Sequence, residues 1–295
     1  MTDITRERQR RRVPHAELIP HRGLAVATTV LGLGLAANSL LGPFGLEIIE
    51  YRFSTSLINQ AIGLDAVALF GVVPVALISA LLMWRARHVG LVLALVPAGF
   101  AAYMLPQYAV GPEYLALAGT NEQFFPFHLS RFVLSVGVLL FAWNAIEDER
   151  LRPHSRPSDR MRAMVLFGVA AFIVVGRWLP VLVELVQGSP SIVDFQENPT
   201  SFMLIGWLDL GLIAPAAIAS GVGLLRGARW ARKAAYAVIA WFALVPASIA
   251  AMAITMTVNG DPNAESTTMW VLTVAAVAFT AGAAWLFRPL FSHDH

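Results

Sequence analysis

The 295-residue sequence contains no cysteine. This absence excludes disulfides, thiolate metal sites and thiol redox chemistry. Charged residues are also scarce, at 14% of the chain, whereas an ordinary soluble domain carries about a quarter. Lys233 is the only lysine, so arginine supplies nearly all of the positive charge. This preference for arginine, together with abundant Ala, Gly and Val, is typical of a high-GC bacterial genome.

Hydrophobic residues, in contrast, make up 57% of the chain, and they are concentrated in long uninterrupted stretches. Each stretch approaches the roughly 20 residues that a helix needs to cross the hydrocarbon core of a bilayer. The sequence therefore predicts an all-α, polytopic integral membrane protein with eight transmembrane helices. The predicted spans are Leu24–Leu41, Ile62–Trp84, Val89–Val110, Phe127–Ile146, Met164–Val186, Phe202–Leu225, Ala234–Val258 and Met269–Phe287.

The positive charges alternate between the gaps that separate these spans. Of the 21 Arg and Lys residues, all except Arg52, Arg131 and Arg177 precede the first span, follow the eighth, or lie in the second, fourth or sixth gap. Cytoplasmic loops carry the excess of Arg and Lys. The pattern predicts a bacterial plasma-membrane protein with both termini in the cytoplasm.

The remaining segments suit this topology. Residues 1–23 form a basic cytoplasmic tail, and the apolar stretch that follows is interpreted as a retained signal-anchor because seven more spans come after it. Residues 147–163 are too charged for lipid and are predicted to be a cytoplasmic linker. Residues 289–295 form a short cytoplasmic tail. The linker divides the chain into two units of four spans, 24–146 and 164–288.

Three short matches, in the same order, indicate that these units are tandem repeats. Gly-Leu-Asp ending at Asp65 matches Trp-Leu-Asp ending at Asp209, and each is followed by a proline. The matches in the later spans are VPAGFAA with VPASIAA, and FVLSV with WVLTV. Because each unit has an even number of spans, both copies have the same orientation, related by an axis along the membrane normal.

The segment Glu197–Leu225 has an Asn-Pro just outside a span, followed by Leu-Asp-Leu and a further proline. This pattern resembles one that recurs in uncharacterised multi-pass membrane proteins of bacteria. The resemblance implies a polytopic fold and no particular activity. The first unit departs from it, with Asn59-Gln60 where Asn-Pro would stand.

Ionisable side chains inside spans are costly unless they are paired or hydrated, so they are the candidate ligand-binding or proton-binding residues. Asp209 lies too deep in its span to be only a helix cap. Asp65 is interpreted mainly as an N-terminal helix carboxylate, on the assumption that its span begins nearby. The candidate set is Asp209, Arg177, Asp65, Arg131, Glu184 and His128.

Two interpretations of these charges are open. Arg177 and Glu184 are seven residues apart and therefore on one helical face. In the first interpretation, Arg177 pairs with Asp209 or Glu184, and Arg131 with Asp65, only to hold helices together. In the second, the same groups line an outward-facing pocket, with His128 as a proton carrier, a general base or an interfacial hydrogen-bonding group.

The sequence indicates no metal site and no cofactor. His128 is the only histidine within a predicted span, so a bis-histidine haem site lacks its second ligand. Phosphate-binding loops and the common hydrolase motifs do not occur. Membrane lipids are the expected partners, with a small polar or lipid ligand as a further candidate, and nucleic acid is not expected because the formal net charge is only +2.

Three functions fit these observations. The leading hypothesis is a protein that binds or translocates a small polar solute, a proton or a lipid headgroup. The second is a membrane-embedded enzyme acting on a lipid or lipid-linked phosphate at the outer leaflet, with Arg131 and Arg177 as anion-binding groups. The third is a structural or accessory membrane subunit.

Overall fold

The computed structural model describes residues 21–148, 151, 156–188, 190–264 and 266–291. All regular structure in these ranges is helical, and it contains eight helices long and apolar enough to cross a membrane. The chain is thus a multi-pass helical membrane protein. Its long helices are α1 Arg22–Leu41, α2 Thr55–Trp84, α3 Val89–Ala109, α4 Asn121–Ala145, α5 Arg156–Val186, α6 Pro199–Leu225, α7 Arg229–Val258 and α8 Ser266–Phe291; a short helix, Val193–Glu197, precedes α6.

Several helices begin at an earlier residue than the apolar stretch from which each span was predicted. Helix α2 begins at Thr55, where the side chain of Ser54 accepts a hydrogen bond from the Leu57 amide. Asp65 is ten residues further along, roughly 15 Å into the helix at about 1.5 Å per residue. The interpretation of Asp65 as an N-terminal carboxylate is therefore wrong, because the real cap lies three turns earlier.

Helix α5 begins at Arg156, so the second part of the predicted linker 147–163 is helical. Residues 149, 150 and 152–155 of that linker lie outside the described residues, as do 1–20 of the predicted basic tail. At the other terminus, α8 continues to Phe291, beyond the predicted limit of the last unit.

Helices α2, α5 and α6 each contain a π-helical segment, and each segment is followed by a proline at the second position of the next α-helical turn. The three prolines are Pro74, Pro180 and Pro215. A proline inside a helix has no N–H to donate and its ring clashes with the carbonyl four residues earlier. The wider π turn accommodates that carbonyl, so the helix continues instead of breaking. The π segments are Ala68–Val72, Phe172–Trp178 and Asp209–Ile213.

Helix α3 is at the centre of the molecule and α8 at its edge. In α3, 72% of the apolar window is buried, against 6% in α8. In the first unit α1 packs on α2 and α4, and α3 packs on α2 and α4; in the second unit α5, α6, α7 and α8 pack in sequence. Large apolar side chains such as Phe70, Phe141 and Trp207 are exposed on the helix faces that would contact lipid.

The two units meet where α7 crosses α2 and α3. At the crossing with α2, a methyl group added to Gly63 would lie 2.5 Å from the backbone of Ala251. The Thr255 hydroxyl also donates a 2.7 Å hydrogen bond to the Asn59 carbonyl across the same contact. Small residues allow backbones to approach this closely in membrane proteins. The sequence around Gly63 and Ala251 therefore fixes how the units dock.

The loops α1–α2, α3–α4, α5–α6 and α7–α8 meet at one end of the helix bundle, called here the polar-loop end. They are joined by side-chain hydrogen bonds between loops that are distant in sequence. The contacts are Arg52 N to Asn121 Oδ1 (2.6 Å), Ser54 N to Asn198 Oδ1 (2.9 Å), Thr200 N to Glu113 Oε1 (2.6 Å) and Asn59 Nδ2 to Asp261 Oδ2 (2.9 Å).

The opposite end, called here the basic end, contains cations that also tie the units together. Lys233 donates to the Trp143 carbonyl at 3.2 Å and lies 3.6 Å from Asp148. Arg232 lies 3.8 Å from Asp159. These contacts connect the start of α7 with the end of α4 and the start of α5.

Candidate functional site

The six candidate residues lie in three separate places. Asp209 and Arg177 lie together between α5 and α6. Asp65, Arg131 and His128 belong to a second group in the first unit. Glu184 is apart from both.

Asp209 is buried, and its two carboxylate oxygens accept hydrogen bonds from neutral groups. The Tyr103 hydroxyl donates to Oδ1 at 2.7 Å, and the Trp178 indole N–H donates to Oδ2 at 2.9 Å. Arg177 Nη1 is 3.8 Å from Oδ2, which is an ion pair without a short hydrogen bond. The predicted partners are therefore adjacent, but Tyr103 and Trp178 are the direct ligands of the carboxylate.

The site is built where two π segments meet. Asp209 is the first residue of the π segment in α6, and Arg177 and Trp178 are the last two of the π segment in α5. The Trp178 indole N–H reaches Asp209 Oδ2 at 2.9 Å, and the Arg177 side chain approaches the same oxygen only to 3.8 Å.

A cavity of about 130 Å³ adjoins this pair, enclosed by α2, α3, α5, α6 and α7. The Arg177 side chain is 41% exposed, whereas that of Asp209 is 5% exposed. The wall is mainly apolar, and its polar members are Gln60, Tyr103, Gln107, Arg177, Asp209 and Ser248.

A wider cavity of about 560 Å³ lies between the first cavity and the polar-loop end; it is called here the vestibule. The vestibule and the inner cavity share Gln60, Ile249 and Met252 in their walls, so the two spaces adjoin. Asp194 of the short helix also lines the vestibule. Desolvation there raises the pKa of the Asp194 carboxyl, and the positive charge of Arg177 acts in the opposite direction. The vestibule thus lies next to the inner cavity on the side of the polar-loop end.

In the second group, the guanidinium of Arg131 is held by four acceptors. Its Nε donates to the Phe127 carbonyl at 3.0 Å, and Nη1 donates to the Gly34 carbonyl at 2.9 Å. Nη2 donates to Asn38 Oδ1 at 3.1 Å and to His128 Nδ1 at 2.7 Å. The guanidinium also stacks over the Phe127 ring at 3.6 Å. Arg131 therefore fastens α4 to α1.

Asn38 connects Arg131 to Asp65. Its amide nitrogen donates to Asp65 Oδ1 at 3.3 Å, while its oxygen accepts from Arg131. The Tyr108 hydroxyl also lies 3.4 Å from Asp65 Oδ1, and the Tyr108 ring stacks on Tyr51. Arg131 and Asp65, which the sequence analysis paired directly, are thus joined through the side-chain amide of Asn38.

His128 is fully buried, so it is not an interfacial hydrogen-bonding group. Because a guanidinium has only donors, the contact with Arg131 requires an unprotonated Nδ1, which places the proton of the neutral ring on Nε2. His128 Nε2 and Asp65 Oδ2 are buried without a hydrogen-bond partner. Neither residue lies in the cavity wall described above.

Glu184 lies near the end of α5 and does not join Arg177. Its Oε2 accepts from the backbone N–H and the hydroxyl of Ser191, at 2.8 and 2.9 Å. The seven-residue spacing that placed it with Arg177 assumes a regular α-helix. The helix is regular from Leu179 onward, so Glu184 lies about two turns, roughly 10 Å along the axis, from Arg177, and its carboxylate instead stabilises the turn after α5.

Tyr103, Trp178 and Asn38 were missed as members of these groups by the sequence analysis. Buried Tyr and Trp side chains need an acceptor for their O–H and N–H groups, and acceptors are few inside apolar spans. Tyr103 directly follows the repeated VPAGFAA segment, and Trp178 directly follows Arg177. Their position beside these motifs was therefore the available sequence signal, and their residue type alone was not.

Among the described residues, no group of three or more His, Asp and Glu side chains is placed to hold a metal ion. Comparisons with protein-family models, curated proteins and solved structures find no match for this chain. The fold and the site define a multi-pass helical membrane protein with a buried carboxylate and a partly exposed guanidinium beside an internal cavity.

Proposed function

We propose that this protein binds a small solute in the cavity beside Arg177 and Asp209 and exchanges it through the vestibule. The observation that carries the proposal is Arg177, whose side chain is 41% exposed and lines a cavity next to a wider space. An ionisable group within the membrane is costly unless it is paired or hydrated, and such groups commonly mark a ligand or ion pathway.

The hydrogen bonds around Asp209 also favour exchange of a ligand. Tyr103 and Trp178 satisfy the carboxylate oxygens directly, so the binding of a solute to Arg177 does not leave Asp209 without donors. The site is thus able to gain or lose a ligand at low cost to the helix packing.

The geometry gives less support to an outer-leaflet enzyme that uses both intramembrane arginines as anion-binding groups. Arg131 and Arg177 belong to different groups, and the donors of Arg131 are engaged by Phe127, Gly34, Asn38 and His128. His128 is buried in that same group, away from the cavity. An anion-binding enzyme site would need to displace this network first.

We further propose that the two units are tandem repeats and that the polar-loop end faces outward from a bacterial plasma membrane. Helices α2 and α6 support the repeat, since in each an aspartate lies at or just before a π segment that ends at a proline-containing turn. Helix α7 contacts α2, and α3 contacts α6, as exchange of the units requires, although the α7–α2 contact is much the larger. The distribution of arginine supports the orientation.

A blocked cavity tests the binding function. Ser248→Trp would fill part of the inner cavity, while Gly282→Trp, on an exposed face of α8 with no atom within 4 Å, is the matched control. Small molecules extracted from purified wild-type and control protein would be compared with those from the blocked variant by mass spectrometry. We expect at least one solute to be retained by wild type and control and lost from Ser248→Trp; identical sets from all three would contradict the proposal.

A further inference from the structure

We infer that the solute is a small anionic amphiphile whose negatively charged head binds Arg177 and whose apolar body of about six carbons fills the inner cavity. This inference rests on the proposed function and names its ligand class. Three observations support it: the unequal satisfaction of the two charged groups, the composition of the wall and the size of the space.

The charges select an anion. Asp209 already accepts hydrogen bonds at 2.7 and 2.9 Å from Tyr103 and Trp178, so both of its oxygens are engaged. Arg177 approaches Asp209 only to 3.8 Å, with 41% of its side chain exposed. A guanidinium has five N–H donors in a planar fork that matches a carboxylate or phosphate. A cation in the same space would lie against the positive charge of Arg177, whereas the charge of Asp209 is already offset by two hydrogen-bond donors and by Arg177.

The wall selects an apolar body. Away from Arg177, the cavity is bounded mainly by aromatic, aliphatic and methionine side chains contributed by α2, α3, α5, α6 and α7. A fully hydrated inorganic anion would find too few hydrogen-bonding groups on these surfaces to replace its water. The apolar wall residues include Phe100, Met104, Phe172, Trp241, Phe242 and Ile249.

The volume limits the length of the ligand. The inner cavity measures about 130 Å³. A dry apolar cavity of about 150 Å³ accepts benzene, so this space suits a body of about six carbons. The two acyl chains of an ordinary phospholipid exceed it. The shared chemistry is therefore a carboxylate or phosphate on a short apolar chain, either free in water or as part of a short-chain lipid.

Hexanoate is the direct probe. The full chain would be reconstituted into phosphatidylcholine nanodiscs and titrated calorimetrically with hexanoate, with hexanol as the neutral counterpart, acetate as the head alone, and empty nanodiscs as the blank. We expect hexanoate to bind at least tenfold more tightly than hexanol or acetate. Arg177→Met should weaken hexanoate binding at least tenfold, Arg177→Lys should weaken it less, and Arg226→Met, an exposed position at the basic end, should leave it unchanged.

The outcomes separate this inference from the proposed function. Hexanol and hexanoate could bind equally well, with binding unaffected by Arg177→Met but lost in Ser248→Trp. That result would contradict an anionic ligand and would still support the cavity as a binding site. Hexanoate binding that survives in Ser248→Trp would overturn both. Competition by hexanoyl lysophosphatidic acid, a lipid with one six-carbon chain, that depends on Arg177 would support the inference and identify a lipid source. Absence of hexanoate binding to wild-type protein that is folded by its thermal melt would contradict it.

Discussion

Arg52, Arg131 and Arg177 are the cations that depart from the alternating charge pattern, and the structure gives each of them specific partners. Arg52 forms a two-point contact with Glu122 and donates to the Leu117 carbonyl, so it joins two loops at the polar-loop end. The hydrogen bond with Glu122 raises the pKa of Arg52. Arg131 fastens α4 to α1, and Arg177 faces the cavity. Of the three, Arg177 has the most exposed side chain, at 41%.

Substitutions at Asp209 should cost more stability than substitutions at Arg177. Asp209→Ala leaves the buried Tyr103 hydroxyl and Trp178 N–H without an acceptor, at about 1–3 kcal/mol each. Arg177→Met removes only a 3.8 Å contact and leaves Asp209 with both of its direct donors, so its cost should be smaller. Asp209→Asn, which keeps one oxygen acceptor, should fall between them. The measurement is thermal unfolding of the purified variants in one detergent.

The double variant Asp209→Ala with Arg177→Met should be about as unstable as Asp209→Ala alone. In Asp209→Ala the Arg177 guanidinium loses its partner, but its side chain is partly exposed, so the desolvation cost of the unpaired charge is small. Removing Arg177 as well should therefore recover little stability. A large recovery in the double variant would instead show that the ion pair, and not the neutral donors, holds Asp209.

For individual residues, the sequence predicted which charged side chains lie close together better than it predicted their hydrogen-bond partners. Asp209 and Arg177 stand out because they are charged within apolar spans, and the structure brings them within 3.8 Å. Tyr103 and Trp178 are common residues in membrane helices, so nothing in their type alone distinguishes a hydrogen-bonding role. The helical repeat placed Glu184 on the face of Arg177, but it could not show that Ser191, in the turn after α5, holds the Glu184 carboxylate.

At the scale of the helices, proline placement has the clearest structural effect. Pro74, Pro180 and Pro215 each follow a π segment, whereas Pro97 and Pro246 lie inside continuous α-helix. The π segments of α5 and α6 are also where the candidate site is built. Sequence periodicity finds the span, but the change of register within it depends on how packing accommodates each proline.

The crossing of α2 and α7 should be sensitive to a single methyl group. Gly63→Ala places its Cβ 2.5 Å from the Ala251 backbone, so the helices must separate and the Asn59–Thr255 hydrogen bond must lengthen. We expect a loss of about 1–3 kcal/mol, the usual cost of overpacking. Gly168→Ala in α5, with no atom within 4 Å of the new methyl, is the control and should be neutral or stabilising. Equal melting temperatures for the two variants would contradict the close crossing.

The beginning of α2 shows why helix ends were harder to predict than helix existence. The apolar stretch begins at Ile62, but the helix begins at Thr55 because Ser54 caps it and Asn59 is bonded to α7 and to the loop beyond it. A hydropathy pattern does not assign polar residues to a membrane helix when the groups that hydrogen-bond to them are distant in sequence. The eight apolar stretches themselves were sufficient to predict the eight spans.

For the whole molecule, the lack of cysteine makes the orientation directly testable. Leu115 is fully exposed in the α3–α4 loop at the polar-loop end, and Arg226 is exposed at the basic end. In intact cells, a membrane-impermeant maleimide should label Leu115→Cys, and it should label Arg226→Cys only after permeabilisation. The reverse pattern would mean that the polar-loop end faces the cytoplasm.

The central claim is that a cavity inside the bundle connects to water at the polar-loop end. Ser248→Cys places a thiol in the inner cavity wall, and Ala98→Cys places one in the packed core of α3, outside that wall. Intact cells expressing each variant would be treated with an impermeant, negatively charged methanethiosulfonate, and modification would be read by mass spectrometry. The account predicts rapid modification of Ser248→Cys and none of Ala98→Cys. Equal protection of both thiols, or modification of Ser248→Cys only after permeabilisation, would contradict it.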